Sequence, residues 1–112
     1  MNYRYQLYRP AKGIRKKMTI EDCMDDCKTY AADDIKSRLS AAFPALQWHQ
    51  VSDLPGQPWF GENDAVSVQF SYERDGTITY VLLNDCHADD VRKACKALEA
   101  AAIDAETDAV LA

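Results

Sequence analysis

In YRYQLY, residues 3–8, Tyr3, Tyr5 and Leu7 alternate with Arg4, Gln6 and Tyr8. A period of two is the pattern of a short strand with one face buried. Pro10 closes that strand, and residues 10–18 read as a basic connecting loop. The period then changes. Ile20, Met24, Cys27, Ala31, Ile35, Leu39 and Ala42 step by three or four, which predicts one helix with a core-facing stripe. Thr19 is its expected N-cap: Asp22 stands in the capping-box position, and Glu21 adds negative charge to the first turn. On this helix Cys27 falls near the centre of the stripe and Cys23 on its flank, with Asp22, Asp25, Asp26 and Asp33 on the opposite side. The helix is expected to end near Phe43, because Pro44 disfavours helical geometry in the residue before it.

Beyond Pro44 the two-residue period returns. LQWHQVS, residues 46–52, predicts a strand with Leu46, Trp48 and Gln50 on one face. Residues 53–64 hold two prolines and two glycines and are expected to be a loop carrying Trp59 and Phe60. Val66, Val68, Phe70 and Tyr72 alternate with Ser67, Gln69 and Ser71 in the clearest strand of the chain. ERDG, residues 73–76, turns it into TITYVLL, residues 77–83. A two-residue Asp75–Gly76 loop pairs Phe70 with Val81. A three-residue loop puts Ile78, Tyr80 and Leu82 on the Phe70 face and Gly76 where a left-handed residue is wanted, and is the preferred register. Val81 and Leu83 then face the other side of the sheet. A second helix follows from about Asp85, with the stripe Val91, Ala94, Cys95, Leu98 and Ala102, acids early and Lys93 and Lys96 later. Residues 104–112 are expected to add a turn of helix or to fray. The expected fold class is α+β in the order β-α-β-β-β-α, with two helices packed on one face of a mainly antiparallel sheet.

A chain of 112 residues makes one domain, and 47 % hydrophobic with 28 % charged residues is the balance of a folded globular protein. No apolar run approaches the ~18 residues of a membrane span. The first residues lack a secretory core, so a cytoplasmic location and four reduced thiols are expected. Charge changes the picture further. Residues 1–17 hold six of the thirteen basic residues and none of the eighteen acids, so an acidic body, net −5 overall, follows a basic start. Phosphate backbones require a positive surface, so nucleic acid is not expected on the body. An acidic surface suits a basic protein partner.

The candidate chemistry is sparse. Cys23 and Cys27 share a helix face, and Cys86, His87 and Cys95 would have to complete a metal site, but no close Cys-x2-Cys knuckle is present. Cysteines within apolar stripes behave as small hydrophobes. Cys86–His87 stands at the start of the second helix, where a thiol can be acidified, yet adjacent residues rarely face each other. There is no phosphate-cradling glycine loop and no nucleophile elbow. The expectation is therefore a non-enzyme without cofactor or metal. Arg9, Lys12, Arg15, Lys16 and Lys17 form an alternative anion-binding segment, and the five cysteine and histidine residues an alternative metal or redox site. Asp22, Asp25, Asp26 and Asp33, together with Trp59 and Phe60, are the expected contacts for a protein partner. In size, charge and architecture, though in no motif, the chain resembles bacterial toxin-immunity and phage counter-defence (anti-CRISPR-like) proteins. The implied role is an inhibitor of a basic or nucleic-acid-handling protein; monomer and homodimer both fit.

Overall fold

The computed structural model of the chain describes residues 4–15, 17–50, 59–64, 66–70, 77–84 and 86–111. Along them run β1 (Arg4–Pro10), α1 (Ile20–Met24), β2 (Cys27–Lys28), α2 (Ala32–Ala42), β3 (Gln47–Gln50) and β4 (Trp59–Glu62). After these come β5 (Ser67–Phe70), β6 (Val81–Asn84), α3 (Ala88–Leu98), β7 (Ala101–Asp104) and β8 (Val110–Leu111). The fold is α+β: an antiparallel sheet in the order β3-β4-β5-β6-β1-β7-β8, with β2 paired to the far end of β1.

Two cores take alternate residues from the same strands. Tyr5 and Leu7 of β1 and Ala102 of β7 join Val68, Phe70, Val81 and Leu83 against Ile35 and Leu39 of α2 and Val91, Ala94, Cys95 and Leu98 of α3. Tyr8, Ala101 and Ile103 point the other way and form a smaller cluster with Cys23 of α1. The central strands β1 and β7 are thus covered on both faces, and α1 sits opposite α2 and α3. Each fully buried Leu or Ile here contributes about 1.5–3 kcal/mol of burial free energy.

The first helix of the sequence pattern is broken in two. Thr19 caps α1 as its sequence implies: its Oγ1 accepts from the Asp22 amide at 3.2 Å and the Asp22 carboxylate accepts from the Thr19 amide at 2.9 Å. The helix then stops at Met24. Cys27 and Lys28 pair with Pro10 and Arg9, and Tyr30 bridges to Ile78 before α2 begins. Asp25 and Asp26 carry negative charge at a helix C-terminus, where the dipole is unfavourable, and strand pairing with β1 takes over. As a result Cys23, not Cys27, is the fully buried cysteine, and Met24 is 43 % exposed. The C-terminal end of α2, with Phe43 as its C-cap before Pro44, is where the sequence puts it.

Three further expectations change. Residues 59–62, expected as loop, are strand β4, because Gly61 lies opposite Trp48 in the register. A Cβ at Gly61 would stand 2.7 Å from the Trp48 ring, so this glycine serves a close approach inside a strand and not a turn. Trp48 also tilts against Phe70, with ring centroids 5.6 Å apart, and donates its indole N–H to the Ser40 hydroxyl of α2 at 2.9 Å. Between β5 and β6 the register is Phe70↔Val81 and Val68↔Leu83. The preferred three-residue loop is thereby overturned: Val81 and Leu83 face the helical core, and the turn itself lies outside the described residues. Finally, Ala101–Asp104 is not a helical continuation but strand β7 beside β1, and Asp104 turns the chain into β8 by accepting the amides of Glu106 and Thr107. Alanines let this strand pass between two packed faces.

Candidate functional site

The acids expected on one helix face are spread over several elements. Asp22 is used internally: it closes the α1 capping box and pairs with Arg15 at 3.3 Å, and the Thr19 hydrogen bonds, then Arg15, hold its carboxyl below the usual carboxylate range. Asp33, at the start of α2, pairs with Lys36 at 3.8 Å. Asp25, the C-cap of α1, and Asp26 remain exposed beside it, as does Glu21. These three make no ion pair with any described residue. Glu21 lies one turn before Met24 on α1, and Asp25 and Asp26 follow it directly; Met24, with Ile14, is one of the two large hydrophobic side chains exposed among the described residues.

The aromatic pair is not on a loop. Trp59 lies in β4 opposite Gln50. Phe60 is half-buried and stacks on the His49 imidazole, with centroids 6.4 Å apart.

The basic segment divides as well. Lys12 and Lys17 are exposed, Arg15 serves Asp22, and Lys16 lies outside the described residues. Arg9 is the largest surprise. Its side chain is 17 % exposed, its Nε donates to the Leu98 carbonyl at 2.9 Å, and its guanidinium lies 4.6 Å from the centre of the Tyr30 ring. The Asp34 carboxylate stands 3.6 Å from its Nη2, which makes no hydrogen bond. Arg38 adds a second clamp, donating to Asp34 at 3.0 Å and to the Ala97 carbonyl at 3.1 Å. Two cations thus meet the last carbonyls of α3, where the helix dipole is negative. Asp34 and Arg38 stand four apart on α2, a spacing that puts them on one face; Arg9 and Leu98 are 89 residues apart, and no local signal joins them. This cluster ties β1, α2 and α3 together and is structural.

The cysteines separate. Cys86 and Cys95 belong to the helical core, Cys23 to the smaller cluster, and Cys27 is half-buried with its thiol 3.6 Å from the Met24 carbonyl. His87 is exposed as the N-cap of α3, its amide held by Asp90 at 3.3 Å. Among the described residues, no three His, Cys, Asp or Glu side chains gather as a metal site would need. Burial raises the thiols of Cys23 and Cys27 above the usual cysteine value and pushes Cys95 up to about 12, so all three stay protonated near neutrality. In a native titration with a disulfide reagent near pH 8, Cys27 is expected to react first, with Cys23, Cys86 and Cys95 reacting only on unfolding. Rapid modification of Cys23 and Cys27 as a pair would instead mark a redox site. No protein-family model, curated protein or solved structure matches this chain.

Proposed function

We propose that the protein works by contact, without chemistry of its own, as an inhibitor that occupies the basic surface of a nuclease or other nucleic-acid-handling protein, in the manner of toxin-immunity and phage counter-defence proteins. The observation that carries this reading is the end of α1: an exposed Met24 with Glu21 one turn before it and Asp25 and Asp26 directly after it, acids that form no ion pair with any described residue. An apolar anchor next to unpaired acids fits a basic partner: the side chain supplies burial and the acids supply steering. In contrast, Arg9 is engaged inside the fold and Arg15 pairs with Asp22 at the surface, so neither of these two is free for phosphate.

The test is capture of basic proteins from a lysate of the host cell, and assay of the captured protein's activity, with the native chain and with a Met24→Glu, Asp25→Lys, Asp26→Lys variant. Lysine at the end of α1 complements the helix dipole, so the variant is expected to keep its melting temperature. It is expected to lose at least about tenfold in affinity for the partner, a loss that salt reproduces in the native chain. Undiminished capture by the variant rules out α1 as the contact, and failure of the native chain to hold any basic protein removes the reading altogether.

A further inference from the structure

A cavity of about 400 Å³ opens between the C-terminal half of α3 and the β7–β8 edge, with Ile14 of the basic connection on its wall. Ile14, Cys95, Ala100 and Leu111 line it with apolar surface, and Arg92 and Lys96 contribute cations from α3. Arg92 and Lys96 are four residues apart and so lie on one face of that helix. We propose that this cavity binds a small amphipathic anion, a medium-chain aliphatic carboxylate, with its chain against Ile14, Ala100 and Leu111 and its carboxylate at Arg92 and Lys96.

Size and charge both point to this class. The volume falls in the range of small-molecule sites, which are mostly apolar with a few polar groups that fix orientation. The cations stand out on a chain of net charge −5. Lys96 has no ion pair with any described residue, and Arg92 holds only Asp89, an exposed neighbour one turn earlier, at 3.3 Å. Glu99 also borders the cavity, but Arg38 stands 3.9 Å from its carboxylate and offsets its charge. The side chains of Ile14, Ala100 and Leu111 offer no hydrogen bond, so a purely polar anion would leave the apolar wall unused. Cys95 is 7 % exposed, and burial keeps its thiol protonated, so it acts as wall and not as nucleophile. The site is separate from Met24 and its acids, and its failure leaves the partner-binding reading standing.

Amide NMR titration of the full chain with octanoate tests the proposal, with octanol and acetate as the tail alone and the headgroup alone. Octanoate is expected to give saturable shifts confined to residues 92–100 and to Ile14 and Leu111, with octanol and acetate each at least about tenfold weaker. Lys96→Gln is expected to weaken octanoate by about tenfold with little effect on octanol. Ile14 is 44 % exposed, so Ile14→Asp spares the core and is expected to weaken both octanoate and octanol. Shifts that do not saturate, that spread over the surface or map elsewhere, or equal binding of octanoate and octanol, overturn the proposal.

Discussion

Replacing Arg9 with methionine is expected to lower the unfolding free energy by about 3 kcal/mol, as measured by urea denaturation followed through tryptophan fluorescence. The methionine keeps much of the buried stem but loses the hydrogen bond from Nε to the Leu98 carbonyl and the stacking on Tyr30. A hydrogen bond from a charged donor contributes about 1.5–3 kcal/mol, and a partly desolvated cation–π contact adds about 1–2. Against this, removing a charge whose Nη2 is buried without a hydrogen bond recovers part of the loss. Arg9→Lys is expected to restore less than half, because an ammonium has no planar fork with which to bond the carbonyl and stack on the ring together. If Arg9→Met unfolds at the native urea concentration, Arg9 is a free surface cation and the anion-binding reading of the basic segment regains its strongest residue.

Alkali is expected to unfold the protein well before lysine or arginine chemistry would. Burial pushes Cys95 and Tyr8 up to about 12 and raises Tyr30 above the usual tyrosine value. In each case the folded chain keeps a proton that the unfolded chain releases, so the stability is fully present below about pH 9 and falls as the pH rises toward 12. At about 1.4 kcal/mol per proton per pH unit, two units for the thiol and one for each tyrosine give a loss on the order of 5 kcal/mol by pH 11. That matches the whole stability of a marginal domain. Urea midpoints at pH 8, 9, 10 and 11, read with tyrosinate absorbance, check it. Between pH 9 and 10 the decline is mainly that of the thiols, and Cys95→Ala is expected to flatten it. A midpoint constant from pH 8 to 11 would show that these groups are not sealed from solvent as their burial implies.

The candidate functional surface was legible in part. Met24 and its acids are local in sequence, but the periodic stripe assigns Met24 to the core. Only the break after α1 turns it outward, and the same break places Cys23 inside and Cys27 at the edge. That Trp59 and Phe60 belong to a strand was not legible, because the prolines and glycines around them signal a loop. The cavity beside α3 was not legible either: its walls come from Ile14, from α3 and from Leu111, which only the packing brings together.

Sequence alone determined what short-range physics controls: the α1 capping box, the end of α2 before Pro44, the buried face of α3, and the alternation of Val66, Val68 and Phe70. Tertiary structure decided wherever a partner far along the chain competed with local preference. Pairing with Arg9 and Pro10 converted helix-patterned residues into β2, and Trp48 made a strand of a glycine-containing segment. A place beside β1 made strand β7 from an alanine-rich run that by itself favours helix. In each instance long-range pairing and burial outweigh propensities that amount to less than about 1 kcal/mol per residue.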